Sequence, residues 1–381
     1  MVRVDGYAKS LNTHSSAMKN TEIAHRRLHN QGLTKIIFKT PADVVAHLGA
    51  VQAQDYGGAK WALGLRIKNC LDSEIDQAFN NGSILRTHLL RPTWHFVTPK
   101  DIRWMLMLTA PRVHAANTYY YRKTGLDAAT VKRTNSVIAK ALRNGNFLTR
   151  TEIASALEKA GVSIDDDLRL TYIMMHAELD GVICSGPRKG KQFTYALMDE
   201  RIPRVREVRR EEALAELTKR YFSTRGPASL SDFSWWSGLT MADAQNGINM
   251  VKAHFTNVEV NGRMYWIPES GQSAQVKSSS AYLLPNYDEY FIGFKDRSAI
   301  GEITKKAGIT SDDPFMLANI VILNGQVLGG WKRVLKKDVV HIEINPIKKL
   351  SSSEKQSIEN AAERFGGFLG CSVSITYNER S

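Results

Sequence analysis

The segment "DDDLRLTYIMMHAELDGVICSGPRKGKQFTYALM", Asp165 to Met198, predicts a helix followed by a hairpin. Its acidic start suits the positive end of a helix dipole, and Gly181 supplies a glycine stop. The rest reads as two short strands around a Gly/Pro turn, tipped with Arg188, Lys189 and Lys191. Just upstream, "LTRTEIASALEKAG", Leu148 to Gly161, predicts an amphipathic helix with Ile153, Leu157 and Ala160 on one face. Two helices and a basic hairpin make a winged helix, with the hairpin as the wing.

The pattern recurs on either side. Downstream, "REEALAELTKRYFSTRG", "SLSDFSWWSG" and the capped "TMADAQNGINMV" predict three helices, and "NVEVNGRMYWI" closes them as a hairpin turning at Asn261-Gly262. Upstream, "TPADVVAHLGAVQAQ" opens a helix on Pro41, and "SEIDQAFNNGSILRTHLLRPTWHFVTP" gives a helix, a glycine and alternating strands. After a polar break from Pro268 to Ser280 the composition turns strand-like, in "AYLLPNYDEYFIGF", "ANIVILNGQVLGGWKRVL" and "DVVHIEINPI", and ends in the helix "SSSEKQSIENAAERFGGFLG". The expected fold class is α+β: three tandem winged-helix units (21–125, 126–200, 201–268) and a β-rich, barrel-like module (281–375). Residues 1–20 are expected to form a flexible tail.

Composition bounds the function. The 381 residues exceed one ordinary domain and allow roughly two to four. Fifty-one Lys and Arg against 38 acidic residues give a net charge of +13, which favours a polyanionic partner. Cys70, Cys184 and Cys371 are far apart and form no zinc-type spacing, so reduced thiols and a cytoplasmic location are expected. No apolar run reaches the ~18 residues of a membrane span, and no P-loop, dinucleotide fingerprint or metal motif is present. Neither cofactor nor metal is expected. The strip "RIPRVREVRR", Arg201 to Arg210, carries five arginines and reads either as a solvated linker or as a phosphate contact.

One stretch carries the chemistry. In "AVQAQDYGGAKWALGLR", Ala50 to Arg66, Gln52 and Gln54 flank a single alanine. On the residues alone, a hydrogen-bonded turn is the readier account of the pair. Together, however, "LGAVQAQDYGGAKWALGLR", "ILRTHLLRPTWHFV", "HAELDGVICSGPRKGKQFTYAL", "DFSWWSGLT" and "LLPNYDEYFIGFKDRS" resemble the bacterial winged-helix DNA glycosylases of the AlkZ/YcaQ group. The resemblance runs from about Val44 to Arg297 and implies tandem winged helices with a C-terminal β-barrel. It implies catalysis by a Gln-x-Gln or Gln-x-Asp signature, which this chain fills with Gln52 and Gln54, the Gln-x-Gln branch.

Chemistry agrees with that implication. Breaking an N-glycosidic bond builds an oxocarbenium-like sugar, usually stabilised by a carboxylate. An N7- or N3-alkylated purine already carries positive charge, so it departs without a general acid. Two amides, each with one acceptor and two donors, then suffice to align a water. At i, i+2 both side chains share a face only in extended backbone, which predicts an irregular or strand-like stretch leaving the preceding helix near Gly49.

The neighbours divide. Asp55 is either the true base or, more simply, a cap for the following turn. Alternation in "LRPTWHFV" sets Trp94 and Phe96 against Thr93 and His95, with Trp94 assigned to the core and Thr93 and His95 to the site. Arg86, Arg91, Arg188, Lys189 and Lys191 are the expected DNA contacts. Asp288 and Glu289 read as a salt-bridging pair fastening the last module, and Trp235-Trp236 and "RWMLML" as core.

The reading is a monomeric, monofunctional glycosylase of base excision repair. It acts on duplex DNA bearing alkylated purines, bulky adducts or interstrand crosslinks, with water as nucleophile and no membrane association. The rival is a non-catalytic winged-helix regulator.

Overall fold

Five helices begin with the same device. A Ser or Thr accepts from the backbone three residues on, and an acidic residue there reaches back: Thr40/Asp43, Thr149/Glu152, Ser229/Asp232, Thr240/Asp243 and Ser351/Glu354. Each such cap contributes about 1 kcal/mol and fixes where its helix starts. The computed structural model describes residues 18–164, 166–203, 206–269, 280–309 and 319–378. Most of the expected tail, Arg204 of the arginine strip and most of the Pro268–Ser280 break lie outside them.

After α1 (Asn20–Asn30), a first group comprises α2 (Pro41–Leu48), β1 (Val51–Gln52), α3 (Tyr56–Gly64), α4 (Asp72–Asn80), β2 (Leu85–Leu89) and β3 (Thr93–Val97), its sheet ordered β1-β3-β2. The 22-residue α5 (Ile102–Lys123) leads to a second group: α6 (Ala128–Leu142), β4 (Leu148–Thr149), α7 (Arg150–Lys159), α8 (Asp167–Leu179), β5 (Ile183–Ser185), β6 (Thr194–Leu197) and α9 (Met198–Arg201). Its sheet, β4-β6-β5, repeats the first arrangement. The third has α10 (Arg210–Arg225), α11 (Leu230–Ser237), α12 (Met241–Val251) and the hairpin β7 (Phe255–Val260) and β8 (Arg263–Pro268). Asn261 and Gly262 both have positive φ, as a type I′ turn requires.

The last group departs from expectation. β9 (Ala281–Leu284), α13 (Glu289–Ile292), α14 (Glu302–Lys306), β10 (Ile320–Leu323), β11 (Gln326–Lys336), β12 (Val339–Pro346), α15 (Ser352–Leu369) and β13 (Ser372–Tyr377) include a sheet ordered β13-β12-β11-β10-β9. Its end strands lie at opposite edges, so the expected small barrel is an open five-stranded sheet. The physical reason is the parallel pairing of β12 and β13, which needs a crossover helix. That helix, α15, packs on β9 and β13, and its Phe365 and Phe368 meet Trp61 of α3 edge-on and tilted. The sheet's apolar face is thus covered from outside rather than by closure.

Two large cores run across the groups. One joins α2–α4 to the C-terminal sheet, where the Trp61 indole N–H donates to the Leu283 carbonyl at 2.7 Å. The other joins β2, β3 and α5 to the second and third groups. Among the described residues no helix is long and apolar enough to cross a membrane.

Candidate active site

The Gln-Ala-Gln stretch lies where these cores meet. α2 ends at Gly49, whose φ of 82° is a conformation β-carbon-bearing residues rarely adopt. The chain then runs extended through Val51 and Gln52, pairing with Phe96 and His95 of β3, and the Ala53 amide donates to the Trp94 carbonyl at 2.7 Å. The expected strand-like or irregular stretch is present, with strand over Val51 and Gln52 and a bend at Gln54.

Gln52 is buried and held at two points. Its backbone N–H donates to Glu289 Oε1 (3.0 Å), and its side-chain Oε1 accepts from Arg91 Nη2 (2.9 Å). With its oxygen engaged by a cation, the amide keeps its N–H donors and one oxygen lone pair. Gln54 is exposed, and its Oε1 accepts from the Trp94 amide at 3.3 Å. Asp55 caps α3: it accepts from Gly58 N at 3.1 Å, and a Cβ at Gly58 would meet Asp55 Oδ2 at 2.8 Å. The capping role is the one the geometry gives it.

Beneath the pair lies a buried charge cluster. Glu289 Oε2 accepts from Arg225 Nη2 (2.6 Å) and the Trp236 indole (2.9 Å), while Arg225 also donates to the carbonyls of Leu48 (2.9 Å) and Ala50 (3.3 Å). Arg225 of α10 thus clasps the backbone entering the Gln pair. Asp288 turns the other way, to Arg66 at 2.8 and 3.0 Å. The two carboxylates fasten the C-terminal module to different groups, as salt bridges should. They do so from the start of α13 rather than from a strand, because Asp288 caps the helix by accepting from Tyr290 N.

The assignment of Trp94 needs correction, and His95 takes a more buried place than a site-facing ring implies. His95 sits opposite Gln52 across the sheet and shares its face, but it is fully buried. Burial, reinforced by the Arg91 charge, pushes its pKa down to about 3, so the ring is neutral near pH 7. Its Nδ1–H donates to the Thr93 carbonyl (2.9 Å), which leaves Nε2 as a bare acceptor without a partner among the described residues. The hydroxyls of Thr93, two residues away, and of Thr87, directly opposite His95, are buried and unpartnered too. Trp94 is partly exposed instead of core. It lines a cleft of about 370 Å³ with Arg86, Arg150, Lys191, Phe193 and Tyr195.

The basic residues fall into two kinds. Arg86 is buried, donates to the Ala53 carbonyl at 3.0 Å and lies over the Trp94 ring at 4.2 Å, so it braces the Gln-Ala-Gln backbone instead of offering charge to solvent. Arg188 is drawn back over Tyr56 and Phe193 and lies 3.5 Å from Asp76. Lys189 and Lys191 at the hairpin tip are exposed, although Lys189 reaches Glu152 at 2.9 Å.

Four neighbours were missed by sequence reasoning. Trp235 is 44% exposed, not core; Phe233, Trp236 and Ser237 take the buried face of α11, and helical spacing turns Trp235 away from them. It lies beside Arg91, which donates to its carbonyl (3.4 Å) and sits 5.6 Å from its ring. Thr87 was legible only through the hairpin register, and Glu289 only through packing. Arg333 of β11 stands 3.6 Å from a Cβ placed on Gly57, with one guanidinium nitrogen buried and unpartnered. Beyond it, Val334, Leu335 and Val339 are exposed at the end of the β11–β12 hairpin.

Basic groups, aromatic rings and two amides gathered on recurring helix-and-hairpin groups fit an enzyme that works on nucleic acid. The family model described as DNA glycosylase AlkZ-like matches residues 45–368, and the chain belongs to that family of enzymes that hydrolyse N-glycosyl bonds in DNA. It is 24% identical over 326 residues to an interstrand DNA cross-link repair glycosylase of Streptomyces sahachiroi, covering 82% of this chain and 88% of that one. Its fold is similar to that of the Streptomyces sahachiroi DNA glycosylase AlkZ, with a TM-score of 0.77 and 20% identity over 94% of this chain and all of the other.

Proposed function

We propose that the protein is a monofunctional glycosylase that excises cationic N7- or N3-alkylated purines, including bulky adducts and interstrand crosslinks, with Gln52 and Gln54 as the catalytic residues. The observation carrying this reading is that Arg91 and Glu289 fix Gln52 in extended backbone two residues from an exposed Gln54, with Asp55 occupied as a cap. The amides orient a water against the anomeric carbon, and the base leaves neutral because it began as a cation. The unpartnered groups of Thr87, Thr93 and His95 add hydrogen-bonding capacity beside Gln52. No lysine amine enters the chemistry, so strand cleavage by a lyase step is not expected.

The three helix-and-hairpin groups are taken as tandem winged helices (21–125, 126–200 and 201–268), followed by the C-terminal module (281–375). The chain acts as a monomer that cradles duplex DNA. Lys189, Lys191 and Arg91 are its phosphate partners, Arg188 braces the hairpin that carries the two lysines, and Arg86 acts through Trp94. Work on DNA and three cysteines without a disulfide support a cytoplasmic site of action. The test is incubation with duplex DNA containing N7-methylguanine, expected to yield free base and alkali-labile abasic sites. Neither product, together with tight sequence-selective binding, would turn the reading into a regulator.

A further inference from the structure

We propose that His114, His176 and Asp180 form a binding site for a divalent transition-metal ion of the zinc class, on a face of the protein made by different residues from the glutamine pair. His114 belongs to α5, whereas His176 and Asp180 lie one turn apart at the end of α8. One ligand atom from each lies within 4.8 Å of the others. His114 Nε2 is 3.3 Å from Asp180 Oδ1, and His176 Nδ1 is 3.0 Å from Asp180 Oδ2. A tetrahedral ion with N and O ligands at about 2.0–2.2 Å holds them roughly 3.4 Å apart, close to both His–Asp separations. Imidazole and carboxylate together suit zinc and its first-row neighbours better than calcium or magnesium, which prefer all-oxygen shells.

The surroundings are those of a prepared site. The Tyr121 hydroxyl sits 2.9 Å from His114 Nδ1, which fixes the ring and leaves Nε2 facing Asp180. Asn135 of α6 donates to Asp180 Oδ2 at 2.7 Å. Such outer partners orient metal ligands and sharpen their affinity. His114 and Asp180 also line a cleft of about 380 Å³, room for water as a fourth ligand. The guanidinium in that wall, Arg103, is paired with Asp199 at 2.9 Å. An ion here ties α5 to α8 and, through Asn135, to α6.

The full-length protein, stripped with chelator, is titrated with Co²⁺ and Zn²⁺. One equivalent of Co²⁺ should bind, with the visible bands of a tetrahedral nitrogen-and-oxygen site, and Zn²⁺ should displace it. His114→Ala and Asp180→Asn should abolish this spectrum, and Tyr121→Phe should weaken binding by about tenfold. His254→Ala and His341→Ala should leave it unchanged. Zn²⁺ should raise the melting temperature of the wild type and not that of His114→Ala, whose metal-free melt shows that it folds. No uptake by the wild type, an octahedral aquo-like spectrum only, or equal uptake by the ligand variants would mean that the cluster is a plain His-Asp-His hydrogen-bonded clamp, and would overturn the proposal.

Discussion

His95 shows how a single residue gains or loses a role through its surroundings. On the face of Gln52 it reads as a hydrogen-bonding ring of the site, and burial holds its pKa at about 3, against 6.5 in the unfolded chain, so the ring stays neutral near pH 7. Below pH 6.5 the unfolded chain binds a proton that the folded one refuses. Stability is therefore intact above about 6.5 and falls by about 1.4 kcal/mol per pH unit towards 3. His47, also lowered by burial, adds to the same slope. Urea unfolding between pH 7.5 and 5 should show the loss, and His95→Gln should flatten it; an unchanged acid slope in that variant would contradict the burial account. The capping role of Asp55 was legible in sequence because it follows from local chemistry, whereas the catalytic assignment of Gln52 and Gln54 came only from the family resemblance. The burial of His95 was not legible, since alternation assigns faces but says nothing of what covers them.

At the scale of elements, local signals marked most helices and hairpins: the capped start of "TMADAQNGINMV", the Asn-Gly turn and the glycine stops at Gly161 and Gly181 each match their structural counterparts. Topology did not follow from them. β9 and β13 are separated in sequence by the rest of the module, and whether they meet depends on where α15 packs. The tip of the β5–β6 hairpin now divides in function. Lys189→Ala with Lys191→Ala should weaken binding to plain and alkylated duplex equally, as lost phosphate contacts do, without lowering the melting temperature. Arg188→Ala should instead lower it, having lost its rings and Asp76. Selective loss for one DNA sequence in the lysine variant would mean base reading. The Glu289–Arg225 pair makes a stronger demand. Glu289→Ala leaves a buried guanidinium uncompensated and should cost about 3–5 kcal/mol in chemical unfolding. A loss under ~1 kcal/mol would show that water reaches the pair.

For the whole molecule, the joined motifs told most about function: +13 pointed only to a polyanionic partner, and the family relationship followed from segments spread along the chain. What sequence could not supply was the way the C-terminal module reaches under the first group, placing Glu289 against Gln52 and Arg333 beside Gly57. Binding to undamaged duplex should be steeply salt-dependent, with a log–log slope of roughly −4 or steeper if several phosphates are neutralised; a flat response would remove the electrostatic part of the account. The central claim is that two oriented amides, and no acid, perform the excision. Single-turnover cleavage of duplexes carrying N7-methylguanine or uracil, by wild type, Gln52→Ala and Gln54→Ala, tests it most directly. The account predicts excision of the cationic base with uracil spared, a loss of about 10²-fold or more in Gln54→Ala with duplex affinity nearly unchanged, and a comparable loss in Gln52→Ala. Uracil release at a similar rate, or full activity in both variants, would contradict it.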